Sequence, residues 1–293
     1  MIRIKKYIIF LVVIILFYII YLNSLSIKLN CLILNKDAVV GIAIIKNQKE
    51  WIIGSKNSLP MLSVFKYFVA LKVLDKLEKE KISLNKEITI NKNMVDEKLY
   101  SQMLDKYKTF PFKISIANLL KYTISESDNN ACDILIGYAG GTKEIQEYIN
   151  SIGFVDVEIS ETEFDMNKEI EKQYLNQARP IDIIRAMKFV RDRNILSDAS
   201  CKFLDEIMIN TTTGKDKLKA GLPQNITLGH KTGSSSRKSN GIKIADNDTG
   251  YVFLPDGNVY YIAVMIKDSK MSDEENAKLI SSISKITYTH FKK

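Results

Sequence analysis

A chain of 293 residues is long enough for one large domain or two ordinary ones, with a sizeable buried core. Its 46% apolar and 26% charged residues exclude disordered, collagenous and coiled-coil classes. The net charge of +8 gathers partly in Arg3, Lys5 and Lys6, and the other lysines mix with glutamates, as in Lys76-Leu77-Glu78-Lys79-Glu80-Lys81; that is a solvated helix face and not a nucleic-acid stripe.

In chain order, the basic start is followed by an unbroken apolar run of sixteen residues, Tyr7 to Leu22. Residues 1–24 therefore read as a signal peptide or an N-terminal membrane anchor, and the protein as exported, either periplasmic or anchored outside the cytoplasm. No small-x-small cleavage site follows; Asn23-Ser24 is the best available. Lipid attachment at Cys31 meets a leucine, Leu29, one place off the usual position.

Val39–Lys46 and Glu50–Ile53 read as a hairpin. Phe65, Phe68, Val69, Val73 and Leu77 recur at helical spacing, giving a helix from Ser63 to Lys79. Short helices follow at Ser115–Tyr122, Asn130–Tyr138, Lys143–Ile152, Ile181–Arg193 and Asp198–Ile209. Ser160 to Pro180 has no clean period, and a loop that long inside a compact domain is usually functional. Strands return at Ile226–Lys231, Gly250–Leu254 and Val259–Ile266. Pro255-Asp256-Gly257 turns between the last two, which makes the sheet antiparallel. Ser272-Asp273-Glu274-Glu275 is a capping box opening an amphipathic helix through Leu279, Ile280, Ile283 and Ile286. The expected architecture is α/β plus all-α: an antiparallel sheet flanked by helices, with a helical lobe inserted. The α/β lobe takes residues 25–61 and 207–293, the all-α lobe 62–206, and the active site lies between them.

Two histidines, His230 and His290, exclude a three-histidine zinc site, and a Ser–His–Asp triad would have to use one of them. Cys31, Cys132 and Cys201 form no C-x-x-C pair, and neither GxGxxG nor GxxxxGK[ST] occurs. No metal, nucleotide or other cofactor is expected.

Three short strings carry chemistry. In Ser63-Val64-Phe65-Lys66 the serine and lysine share one face at a helix start, where an amine reaches a hydroxyl and the helix dipole favours developing negative charge. Ser127-Asp128-Asn129 alone is an ordinary helix cap, and Lys231-Thr232-Gly233 alone an ordinary strand end. In this order, 64 and then 104 residues apart, they match a known trio of class A β-lactamases and penicillin-binding proteins. From Val39 to the C-terminal helix the chain resembles a class A serine β-lactamase. The likeness extends to Pro60-Met61-Leu62, to Ser127-Asp128-Asn129-Asn130-Ala131 and to His230-Lys231-Thr232-Gly233-Ser234. It also covers Glu163-Phe164-Asp165-Met166-Asn167, beginning 36 residues after Ser127.

The resemblance implies a β-lactamase/transpeptidase-like fold and β-lactam hydrolysis through an acyl-enzyme on Ser63. Lys66, or Glu163 through a water, takes the serine proton; Ser127 relays a proton to the leaving nitrogen, poised by Lys231. The backbone N–H groups of Ser63 and Ser234 form the oxyanion hole. Lys231 and Thr232 take the substrate carboxylate, with Gly233 and Ser234 alongside. Asn129 meets the acylamino side chain, Asn167 helps hold the hydrolytic water, and Tyr100 stands at the rim. Glu163 is preferred over Glu161 as the deacylating base because only Glu163 places Asn167 four positions on. The implied partners are small β-lactams, with no nucleic acid, membrane contact only through the N-terminal segment, and a monomeric chain.

Two departures stand out. Phe164 occupies the place where many relatives have proline, which frees the Glu163–Phe164 peptide to be trans. Glu161 stands where they carry a loop-pairing arginine, so the usual charge pair is expected to be missing and the loop to be repositioned. A cephalosporin-active subgroup shows similar departures. The rival readings are a penicillin-binding DD-peptidase or transpeptidase, which lacks the deacylating glutamate, and a membrane-anchored β-lactam sensor.

Overall fold

The computed structural model describes residues 24–193 and 195–292. The apolar run expected to direct export lies outside them. Among the described residues, no helix is long and apolar enough to cross a membrane.

The elements run α1 (Leu25–Ile33), β1 (Val39–Lys46), β2 (Lys49–Gly54), β3 (Leu59–Pro60), a 3₁₀ turn (Leu62–Phe65) and α2 (Lys66–Lys79). Then come β4 (Glu87–Ile90), α3 (Gln102–Lys106), β5 (Phe112–Ser115), α4 (Ile116–Ser125), α5 (Asn129–Ala139) and α6 (Thr142–Ser151). After α7 (Glu163–Lys168), β6 (Gln177–Ala178), α8 (Pro180–Arg193) and α9 (Asp198–Ile209), the chain closes with β7 (Leu228–Ser234), β8 (Lys243–Phe253), β9 (Val259–Ser269) and α10 (Asp273–Phe291).

The main sheet has the order β2-β1-β9-β8-β7, and every pairing is antiparallel. Successive side chains alternate between its faces. Val40, Ile42, Ile44, Ile262, Val264 and Ile266 pack with Leu25 and Leu29 of α1 and Leu279, Ile280 and Ile283 of α10. Ala43, Ile45, Tyr261, Ala263 and Met265 face the other way and merge with the core of the helical insert, including α2, α5 and α8. Because both faces are covered, β1 reads as a continuous apolar run. Helix α2 is buried nearly all round, and α5 starts at Asp128, whose carboxylate accepts the Ala131 N–H at 2.8 Å.

The structure corrects the sequence-based elements in four places. Strand β8 begins at Lys243 instead of Gly250, because its first half buries Asp246, Asn247, Asp248 and Thr249, which apolar periodicity cannot detect. Strand β7 runs on to Ser234. The segment 160–180 contains α7 and a 3₁₀ turn, Ile170–Tyr174, and is not irregular throughout. Finally, α1 and the small antiparallel β4–β5 pair were not foreseen.

Candidate active site

Strand β7 is an edge of the sheet, and it lies against the turn that ends in Ser63. The approach is close: a Cβ at Gly233 would sit 2.3 Å from the Met61 carbonyl oxygen, so only glycine fits. Gly233 thus serves as a spacer between strand and turn. Ser235 N–H donates to the Ala245 carbonyl at 3.0 Å, so by the alternation of an antiparallel ladder the Ser234 N–H points to the open edge, towards the turn. Leu62, just before Ser63, has φ +46°, a left-handed conformation costing a β-carbon-bearing residue about 1–3 kcal/mol, and stays there because its surroundings impose it.

Lys66 is fully buried one turn along. Its ammonium donates to the Ser127 carbonyl and to Asn129 Oδ1, both at 2.6 Å, and lies 3.1 Å from Glu163 Oε1. The Asp128 carbonyl lies within reach as well, at 3.3 Å, so the amine is surrounded by acceptors. Ser63 Oγ donates to the same Glu163 oxygen at 3.4 Å. Ser127, also left-handed at φ +59°, accepts a 2.8 Å hydrogen bond from Lys231 Nζ, which donates as well to the Thr232 carbonyl. Lys231 is fully buried, and burial, then the nearby Lys66 charge, drives its ammonium well below the ordinary value against the pull of Glu163 and Asp248. Thr232 Oγ1 lies 2.7 Å from Thr213 Oγ1.

A cleft of about 480 Å³ opens over this cluster. Ser63, Tyr100, Ser127, Asn129, Glu163, Asn167, Thr232 and Ser234 line it, with Lys66 and Lys231 beneath. Tyr100 is half exposed at the rim. His230 does not line the cleft: it lies on the face of β7 opposite to Lys231, where its Nδ1 is 2.8 Å from Asp248 Oδ1. Among the described residues, no His, Cys, Asp and Glu cluster is arranged to hold a metal ion.

Sequence reasoning missed four residues that hold this arrangement. Asp133 on α5 accepts the N–H groups of Glu163 and Phe164 at 2.8 and 2.9 Å, one on each carboxylate oxygen. Burial, and then the charge of Glu163, push its carboxyl up to about 7. Asn176 is fully buried; its Oδ1 accepts from Ser160 and Glu161 N–H, and its Nδ2 donates to the Glu161 carbonyl, all at 2.9 Å. Asn247 holds the turn before Ser63 from the sheet side. Lys217 is buried, paired with Asp246, and lines the cleft beside Thr232.

These contacts also correct the expected loop. Glu161 pairs with Lys172 at 3.1 Å within the loop, α7 opens on a capping box between Thr162 and Asp165, and Asn176 cross-links the base. The loop is closed without the arginine pair. Its Glu163–Phe164 peptide is trans, since Phe110–Pro111 is the cis bond among the described residues.

Residues 24–291 match the model of the β-lactamase enzyme family. A β-lactamase of Bacteroides uniformis is 41% identical, over 91% of each chain. The crystal structure of a class A β-lactamase from Bacteroides cellulosilyticus superposes with a TM-score of 0.88 at 41% identity, covering 92% of this chain and 97% of that one. The TLA-1 extended-spectrum β-lactamase superposes at 0.90 and 36% identity, over 92% and 99% of the two chains.

Proposed function

The chain belongs to the class A β-lactamase family and hydrolyses β-lactam antibiotics, a resistance activity, and on that premise we propose that it does so through Ser63 as nucleophile and Glu163 as the base that frees the acyl-enzyme. The observation that carries the reading is the convergence of Ser63 Oγ and Lys66 Nζ on one oxygen of Glu163, at 3.4 and 3.1 Å. Glu163, which faces both groups, takes the serine proton directly or through a water, with Lys66 as the alternative base. Ser63 Oγ then bonds to the lactam carbonyl carbon, and the oxyanion sits between the N–H groups of Ser63 and Ser234. As the C–N bond breaks, the Ser127 hydroxyl gives its proton to the nitrogen, with the Lys231 ammonium 2.8 Å behind it. Lys231 and Thr232 attract the substrate carboxylate, and Lys217 adds a third group of the same sense. Asn129 contacts the acylamino arm, and Tyr100 covers the cleft mouth. Deacylation uses a water between Glu163 and Asn167.

A carboxylate poised at Ser63 Oγ supports hydrolysis over a stable adduct, which is where this reading parts from a transpeptidase or a sensor. Cephalosporins, including bulky oxyimino ones, are the proposed preferred substrates; the extended-spectrum relative supports this. The enzyme is proposed to act as a monomer in the periplasm or anchored outside the cytoplasm, with residues 1–24 directing export. Its lobes are proposed to divide at residues 25–61 with 207–293, and 62–206.

Glu163→Gln tests the reading. Removing the carboxylate frees Lys66 of its counter-charge and lets it serve as the base for acylation, whereas deacylation has no substitute. Mass spectrometry after mixing with benzylpenicillin should show a lasting adduct of the substrate's full mass on E163Q and none on wild type. Normal turnover by E163Q, with an adduct accumulating on Glu161→Gln instead, would move the base two residues upstream.

A further inference from the structure

The turn from Pro60 to Leu62 sets where Ser63 stands, yet no residue of the proposed chemistry fixes it. Its carbonyls are buried, and one side chain meets both. Asn247, at the centre of β8, has no exposure; its Nδ2 donates to the Pro60 carbonyl at 2.8 Å and to the Met61 carbonyl at 3.0 Å. An amide nitrogen has two hydrogens, and both are used on this turn. Its Oδ1 accepts the Ile266 N–H of β9 at 3.2 Å, so the amide is locked from the strand behind it.

We propose that Asn247 is a positioning residue for the nucleophile, fixing the spacing between the Ser63 and Ser234 N–H groups by holding the Met61 carbonyl against Gly233. This rests on reading Ser63 as the nucleophile. The Met61 oxygen is the contact point: it takes the Asn247 amide, accepts the Val64 N–H at 3.2 Å that starts the 3₁₀ turn, and abuts Gly233, the neighbour of Ser234. On the other side, the Met61 N–H donates to the Asn176 carbonyl at 2.8 Å. The turn is thus gripped from the sheet through its carbonyls and from the 160–180 loop through its N–H. Left-handed Leu62 lies inside that grip, with its side chain packed against Ile244 and Ala245. Without the amide, the Pro60 carbonyl loses its Asn247 donor and the Met61 carbonyl keeps only the Val64 N–H, the turn relaxes, and the oxyanion donors separate while the side chains of Lys66, Glu163 and Lys231 remain.

The test uses Asn247→Asp, which keeps the acceptor for Ile266 but sets an oxygen against the two carbonyls, and Asn247→Leu, which removes both functions. Displacing a catalytic group by a fraction of an ångström or more is expected to lower kcat/KM per folded molecule about 10- to 100-fold. The decisive readout is spectroscopic. In the E163Q background the trapped ester carbonyl reports its own hydrogen bonding, and its infrared band should move to higher wavenumber in E163Q/N247D than in E163Q. A purely structural role would lower the melting temperature and leave that band in place. If N247D and N247L fail to fold, Asn247→Ser, smaller and with one donor, carries the same comparison. A folded variant with kcat/KM within about threefold of wild type and an unmoved ester band overturns the proposal. Failure of E163Q alone to trap an ester would instead overturn the reading of the site.

Discussion

Asp133 should make the enzyme less stable and more active at neutral pH, and replacing it with asparagine should separate the two effects. Its carboxylate is buried against Glu163, with the Lys66 ammonium the nearby opposing charge, and its carboxyl stands at about 7 where 3.8 is usual. Between those two values the folded protein holds a proton that the unfolded chain has released. The resulting stability is complete below pH 3.8 and is lost as the pH rises through 7. Roughly three decades at about 1.4 kcal/mol each make the loss on the order of 4 kcal/mol. Asp133→Asn carries no such titration, while Glu163 and Lys66 are common to both proteins and cancel to first order. The melting temperature of D133N minus that of wild type should therefore climb between pH 4 and pH 8, by several degrees in a chain of this size at about 2 °C per kcal/mol. Activity should go the other way. An asparagine has one acceptor for two N–H groups, so the turn carrying Glu163 loses a hydrogen bond to a charged partner worth about 1.5–3 kcal/mol, and deacylation slows about tenfold or more. Thermal melts in a pH series, paired with single-turnover deacylation, measure both. A stability difference that stays flat across the series, or falls, refutes the argument.

Asn176→Ala strands two buried N–H groups, those of Ser160 and Glu161, and should destabilise the protein by about 2–5 kcal/mol, seen as a lower melting temperature with a larger fall in deacylation than in acylation. Oxyimino-cephalosporins should be hydrolysed with kcat/KM within about tenfold of simple cephalosporins, a gap near 1.4 kcal/mol, because the trans Glu163–Phe164 peptide leaves the Phe164 ring half exposed and outside the cleft lining. Steady-state kinetics on matched substrates checks this, and a thousandfold discrimination against the oxyimino compounds would end it.

What the sequence made legible follows a physical rule. Ser63, Lys66, Ser127, Glu163 and Lys231 were readable because each lies in a short string that, ordinary by itself, together with the others resembles the motifs of a known family. The sheet strands were readable where apolar residues fill them, and β8 was misjudged where it buries a run of polar ones. Asp133, Asn176, Lys217 and Asn247 escaped for another reason. Each is of a type that usually faces water or caps a turn, and its partner is remote in sequence: Asp133 meets a residue 30 positions away, Asn247 one 187 positions away. No local pattern encodes such a pairing.

The chemical types of those hidden residues still have a logic. Glu163, Lys66 and Lys231 form a buried group; burial first, and then the charges of their neighbours, displace Lys231 and nearby Asp133 from their ordinary values. A further ion pair used only to fasten the turn or the loop base would add its field to that group. Amides fasten without doing so. Asn176 and Asn247 each use donor and acceptor at once, bind backbone on both sides, and bring no charge. The ionic clasp of Glu161 with Lys172 is placed nearer the surface, where solvent screens it. Exchanging the usual arginine pair for that clasp and a buried asparagine therefore keeps the loop closed while leaving the potential at Ser63 to the residues that work there.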